Sequence, residues 1–305
     1  MGRRTILLLG GTGFLGTNLA IWLRDAGHKV LVSGRSAQSR DGRPAIALPL
    51  DDVAAICSLV RAEKVDMVVH MACRLLPASA EADYALEKTE IHQPLFRLAR
   101  ELAVLGVGLA FLSSGGTVYG ASARPSASED DPCRPISLYG QAKLEAELHL
   151  HFLARTCGLR LLVLRPSNPY GRYQSLHGSQ GLVSVILGRI ADDRSLDVWG
   201  DGSSVRDYIF VEDAARSMGE LIVRGAEGTY NVGSGTGSSL IDVVRTAESI
   251  TGKSVALRFH PARAADVPRL VLDVTRLAAL DLHHARPLDA GLQRYVAQLG
   301  MMDAG

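Results

Sequence analysis

The chain is short of several things, and each shortage excludes a class of protein. Among its 305 residues are only four cysteines, Cys57, Cys73, Cys133 and Cys157, and no two stand at metal-ligand spacing. Scattered cysteines in a chain of this length fit a reducing compartment and argue against a disulfide scaffold or a structural metal site. No charge of one sign dominates: 33 Lys and Arg face 32 Asp and Glu, without a long run of either. That removes the basic face expected of a nucleic-acid binder or a membrane-surface protein. No run approaches the roughly 18 apolar residues of a bilayer span. The early apolar run 5–9 is cut by glycines at 10, 11, 13 and 16, too soon for a secretion signal, and Ile6 stands where a myristoylation signal needs Ser or Thr. The expectation is a soluble, cytoplasmic protein without a metal, with neither nucleic acid nor membrane as partner. At 47% hydrophobic and 21% charged it has the composition of a globular protein, long enough for one large domain or a large and a small one.

What is present alternates. Residues 5–9 read as a buried parallel strand, and Gly10-Gly11-Thr12-Gly13-Phe14-Leu15-Gly16 turns into a helix reaching about residue 26. Glycines at 10, 13 and 16 permit a tight turn, close approach of backbone to a pyrophosphate, and close helix–strand packing, with the helix N-terminus facing the phosphates. Placed directly after a strand and followed by a second strand over 28–33, the motif reads as a dinucleotide site that includes Phe14 and Leu15. Where an NAD site usually carries Asp or Glu for the ribose hydroxyl, this chain has Ser33-Gly34-Arg35-Ser36. A missing carboxylate with a guanidinium beside it suits a 2′-phosphate, so NADP is favoured and NAD remains an alternative. Further strands are expected over 45–48, 65–70, 108–113 and 159–164, with helices over 52–63, 83–105 and 139–157. That succession predicts an α/β doubly wound parallel sheet, a Rossmann fold, with ligands at the strand C-termini. The expected domains are residues 1–170 with a returning segment about 205–232 for the dinucleotide, and a smaller α/β substrate domain of 171–204 and 233–305.

Tyr139 and Lys143 stand four apart on one predicted helix, one turn from each other. A free tyrosine, with a pKa of about 10, is a poor base at neutral pH. A lysine ammonium one turn away favours the phenolate, so the sequence predicts a lowered pKa and a pair able to exchange a proton with an alcohol.

In that pair, the glycine motif, Ser113-Ser114-Gly115-Gly116-Thr117-Val118-Tyr119-Gly120, Arg165-Pro166-Ser167-Asn168-Pro169-Tyr170-Gly171, Trp199-Gly200-Asp201-Gly202 and Val205-Arg206-Asp207-Tyr208-Ile209, the chain resembles the extended short-chain dehydrogenases/reductases of the nucleotide-sugar group, the UDP-glucose 4-epimerase-like enzymes among them. The resemblance runs from residue 5 to about residue 275. It implies a 4-epimerase of nucleotide-diphosphate sugars with Tyr139 as general acid/base and Lys143 as its partner. It also places Ala72, Ser113 and Pro166 near the cofactor, Asn168, Arg206 and Arg263 on the substrate diphosphate, and Leu182 and Trp199 beside the nucleotide base. A homodimer through helices 83–105 and 137–157 is implied too. Three departures matter. Gly115 occupies the place of the usual catalytic Ser or Thr, leaving Ser114 or Thr117 to supply the hydroxyl. Pro49 stands where an adenine-contacting Asp is common, with Leu50 and Asp51 as replacements. The carboxylate after the second strand is absent, which bears on NAD against NADP. An NADP-dependent 4-ketosugar reductase is the alternative activity, and a non-catalytic dinucleotide sensor the alternative of another class. A 4,6-dehydratase fits less well, because Gly116-Thr117 stand where such enzymes place an Asp-Glu pair.

Overall fold

The computed structural model describes residues 2–76, 79–121, 124–178, 180–262 and 267–301. Strand β1 (Thr5–Leu9) leads into helix α1 (Phe14–Asp25), and β2 (Lys29–Ser33) into α2 (Val53–Ala62), where Asp52 Oδ1 caps the helix by accepting from Ala55 N. Then follow β3 (Met67–His70), α3 (Glu81–Glu87), one π-helical turn at Lys88–His92, and α4 (Gln93–Leu105). Next come β4 (Gly108–Leu112), the short α5 (Gly115–Val118), α6 (Leu138–Cys157), β5 (Leu161–Pro166) and β6 (Asn168–Tyr170). The chain continues through α7 (Leu182–Ala191), β7 (Leu196–Trp199), β8 (Val205–Phe210), α8 (Val211–Arg224), β9 (Gly228–Val232) and β10 (Gly237–Ser239). It ends with α9 (Leu240–Thr251), β11 (Leu257–His260), β12 (Arg269–Leu270), α10 (Thr275–Ala278) and α11 (Leu288–Gln298).

Six strands form one parallel sheet in the order β2-β1-β3-β4-β5-β9. The central strands carry apolar residues at most successive positions because alternate side chains enter cores on opposite faces. Ile6 and Leu8 join the core under α1 and α8, whereas Leu7 and Leu9 join the one under α2, α4 and α6. The order reverses between β1 and β3, which opens a crevice at their C-terminal ends. Strands β10, β8, β12 and β6 make a second sheet, and β7 with β11 a third. Residues of these two sheets share a third core with α7, α9 and α11.

Three expectations need correction. Residues 45–48 form no strand; a single parallel bridge joins Ile46 to Ser33. Pro44 and Pro49 flank the segment, and a residue without an N–H cannot extend a ladder. The helix expected over 83–105 begins at Glu81 and is interrupted by the π turn. The stretch 199–204, with Gly200, Asp201 and Gly202, reads as a turn-rich loop, but Trp199 itself closes β7.

His70, at the end of β3, is 1% exposed, and its Nδ1 has no hydrogen-bond partner among the described residues. Burial, with the Lys143 charge adding to it, lowers its pKa from 6.5 to about 3. A histidine buried neutral favours the unfolded chain once that chain gains a proton the fold refuses, so stability falls with pH from about 6.5 toward 3. For His70 this amounts to about 2 kcal/mol between pH 7 and pH 5. In urea unfolding at those two pH values, His70→Leu should lose correspondingly less stability than the parent chain. An equal loss in both would contradict the assignment.

Candidate active site

The crevice begins with backbone. Gly10 has φ 74°, and a Cβ there would lie 2.7 Å from Ala72 N, so β1 and β3 approach as closely as a glycine allows. Gly13 caps α1 with no side-chain hydrogen bond, no acidic residue occupies the first turn, and a Cβ on Gly13 would meet open space. Free N–H groups at the positive end of a twelve-residue helix, with room before them, suit a pyrophosphate. Ser33, fully buried at the end of β2, has a hydroxyl without a partner among the described residues, which fits a ribose hydroxyl. Arg35 and Ser36 follow it, both exposed, and the Ser36 hydroxyl donates to Gln38 O at 2.8 Å. Leu50 packs against the core below α2, and Asp51 is exposed, its carbonyl accepting from Arg97 at 3.3 Å. Asn18 was missed from the sequence. Its Nδ2 donates to Phe14 O and to Arg172 O, both at 2.9 Å, and so ties the dinucleotide helix to the loop after β6.

Tyr139 and Lys143 stand in the first turns of α6, whose N-terminus is capped by Ser137 accepting from Gly140 N at 3.1 Å. Lys143 is buried; its Nζ donates to Leu112 O at 3.0 Å and lies 5.7 Å from the centre of the Tyr139 ring. Burial pushes the Tyr139 hydroxyl above its ordinary value, and the opposing Lys143 charge is outweighed, with Cys73 and Glu87 adding to the rise. For Lys143, burial acts downward but Cys73, Tyr139, Glu87 and Glu147 outweigh it, so the ammonium is held more firmly than usual. The lowered tyrosine pKa expected from spacing is therefore corrected: the pair rests as phenol and ammonium. It is poised to donate a proton, and a further positive charge beside the ring would move it toward the phenolate.

The third hydroxyl is decided by space. A Cβ on Gly115 would lie 2.8 Å from Arg165 O and 2.6 Å from Leu272 Cδ1. No Ser or Thr fits there without backbone movement. Ser114, buried, sits near enough to Tyr139 to favour its phenolate. Thr117 Oγ1 is buried without a partner among the described residues. Ser113 donates to Glu147. Glu147 lies one turn beyond Lys143 and is 1% exposed; Arg165 Nε donates to its two oxygens at 3.1 and 3.2 Å. Arg165 Nη1 donates to Tyr119 OH at 2.9 Å, and Tyr119 donates to Asn231 on β9 at 2.7 Å. The i, i+4 spacing of Lys143 and Glu147 on a predicted helix was the available signal for this network.

The remaining positions are less gathered. Pro166 ends β5, buried, and Ala72 follows β3, half-buried. Asn168 Nδ2 donates to Asp207 O at 2.9 Å, committing that amide to β8. Arg206 is half-buried, and its Nη1 donates to Val205 O at 2.9 Å. Leu182 opens α7 and packs on the third core, while Trp199 closes β7 with 42% of its surface exposed. Arg263 lies outside the described residues. Among the described residues no cluster of His, Cys, Asp and Glu could hold a metal, and no helix is long and apolar enough to cross a membrane.

The model of the NAD dependent epimerase/dehydratase family matches residues 6–233. The chain belongs to that family. A UDP-glucose 4-epimerase of Mycolicibacterium smegmatis is 30% identical over 88% of this chain and 90% of its own. A dTDP-4-dehydro-6-deoxyglucose reductase of Escherichia coli is 28% identical over 96% of this chain and 97% of its own. The crystal structure of a Thermus thermophilus UDP-glucose 4-epimerase complex with NAD superimposes with a TM-score of 0.88 at 27% identity, covering 99% of this chain and 100% of that one.

If the packing around Gly115 displaces the third hydroxyl from that position, Gly115→Ser should cost about 1–3 kcal/mol in chemical denaturation without raising turnover. An unchanged midpoint with faster turnover would contradict this.

Proposed function

We propose that this protein is a nucleotide-diphosphate-sugar 4-epimerase working with bound NAD or NADP. The observation that carries the reading is the Tyr139–Lys143 pair on α6, with Lys143 Nζ donating to Leu112 O at the C-terminal end of β4, in a sheet whose first strand runs into an uncapped glycine-rich helix start. Relatives named for 4-epimerisation over most of their length support it. The backbone of Gly10, Gly13, Phe14, Leu15 and Gly16 holds the pyrophosphate, Ser33, Arg35 and Ser36 the adenosine ribose, and Leu50 and Asp51 the adenine. Ala72, Ser113 and Pro166 border the nicotinamide end. Residues 1–170 with about 205–232 bind the cofactor, and 171–204 with 233–305 the sugar nucleotide. Asn168 and Arg206 face the diphosphate, Leu182 and Trp199 the base, and the backbone of Gly115 the sugar.

Tyr139 accepts the proton of the C4 hydroxyl and later returns it, and Lys143 keeps the phenolate accessible while anchored on Leu112 O. Thr117 supplies the hydroxyl that Gly115 lacks, and Ser114 orients Tyr139. Bound nicotinamide, when oxidised, supplies both the hydride chemistry at C4 and the positive charge that moves Tyr139 toward the phenolate. Inversion requires that the ketosugar present its other face before reduction.

A second reading, an NADP-dependent 4-ketosugar reductase, is favoured by one feature, the exposed Arg35 in place of a carboxylate after β2, and by the Escherichia coli relative. The cofactor released from freshly purified protein by denaturation separates them by mass. Stoichiometric retained NAD supports the epimerase; an empty site that binds NADPH far more tightly than NADH supports the reductase. In either case Tyr139→Phe should lower turnover about 100- to 10,000-fold, and retained turnover would remove Tyr139 from the mechanism.

Helices α4 and α6 leave Val104, Leu148 and Phe152 exposed at 85%, 61% and 49%. A homodimer that covers this face follows, and light scattering at micromolar concentration should give twice the chain mass. A monomer would contradict it.

A further inference from the structure

One aromatic arrangement lies outside the acid/base centre. Strands β7 and β11 run parallel with Trp199 opposite His260 and Asp197 opposite Arg258. The rings of Trp199 and His260 are stacked, with centroids 5.3 Å apart and planes 24° apart. His260 Nε2 shares a 2.7 Å hydrogen bond with Asp197 Oδ1, and His260 O accepts from Gly200 N at 2.9 Å. His260 is therefore held through its ring by one side chain of β7 and through its backbone carbonyl by the turn that follows Trp199. Arg258 Nη1 lies 3.9 Å from the same Asp197 oxygen. The Trp199 indole keeps 42% of its surface exposed and takes the His260 imidazole along one face, a contact that holds the plane of a ring. A flat ring held from behind does this, and histidine is suited to it because it stacks and takes a directional hydrogen bond at once.

We propose that His260, held by Asp197, is a positioning residue that sets the plane of the Trp199 indole for stacking on the base of a nucleoside diphosphate. The inference rests on the base site assigned above to Trp199. Stacking on a planar aromatic is sequence-tolerant and strong enough to carry a base, and fixing the plate beforehand removes an ordering cost from binding.

The chain contains only two tryptophans, Trp22 and Trp199, so indole emission reports on few places. UDP and dTDP are titrated into the parent chain and into Trp199→Ala, His260→Ala, His260→Phe, Asp197→Asn and the His260→Ala/Trp199→Ala double variant. Binding is read by emission where Trp199 is present and by calorimetry throughout. His260→Ala should weaken UDP binding about tenfold, raise KM for the sugar nucleotide in proportion, and leave kcat within about twofold. His260→Phe, which restores a flat ring, should recover most of the affinity, and Asp197→Asn should weaken binding without unfolding. Because His260 acts through Trp199, its removal should have no further effect in the Trp199→Ala background. Unchanged affinity in Trp199→Ala would overturn both the base site and this inference. Weakened binding there with unchanged affinity in His260→Ala, or an additive double variant, would overturn only the role of His260. Should His260→Ala fail to fold, His260→Phe and Asp197→Asn decide: parental affinity in Asp197→Asn with loss in His260→Phe overturns the proposal.

Discussion

The buried pair of Glu147 and Arg165 is the constraint on which the rest of the site depends. Both are almost fully buried, 1% and 6% exposed, and each compensates a charge that the interior would otherwise reject. Glu147 also receives Ser113 from the end of β4, and Arg165 passes the contact through Tyr119 to Asn231 on β9. Asn231 in turn donates to Ala127 O and Asp273 O at 2.9 and 3.0 Å. Three strand ends, helix α6 and two distant loops are thereby joined in one polar network. Removing one partner of such a pair leaves a stranded charge and costs about 3–5 kcal/mol, so the network holds α6 in one register against the sheet. That register is what brings Lys143 to Leu112 O.

The same packing explains the unusual third position. With Arg165 fixed by Glu147, its carbonyl lies where a side chain on residue 115 would have to go, and Leu272 fills what remains. The hydroxyls nearby are those of Ser114, near the phenol, and of Thr117, whose buried oxygen has no partner among the described residues. An orphaned buried hydroxyl carries a desolvation penalty that a substrate oxygen would relieve.

Much of this was legible in the sequence, and the failures have physical causes. The glycine turn, the other strands and helices to β5, with 45–48 the exception, and the Tyr139–Lys143 spacing are local patterns, and local patterns survive folding. The tyrosine pKa was misjudged because spacing reports the neighbouring charge but not the burial, and here burial is the larger effect. The strand at 45–48 failed because two flanking prolines leave too few donors for a ladder. Strands β6, β10 and β12 have three residues or fewer, too short for any periodicity to show. Asn18 and His260 act through partners 154 and 63 positions away, and nothing in one sequence links such positions.

The central claim is that Tyr139 serves reversible oxidation at C4 of a nucleotide sugar, in which the hydrogen leaving that carbon returns to it. The most direct measurement incubates the protein in deuterated water with a panel of UDP- and dTDP-hexoses and follows each by proton NMR. The account predicts an equilibrium mixture of C4 epimers of at least one member, without deuterium at C4. Deuterium at C4, or no epimer from any member of the panel, would contradict it.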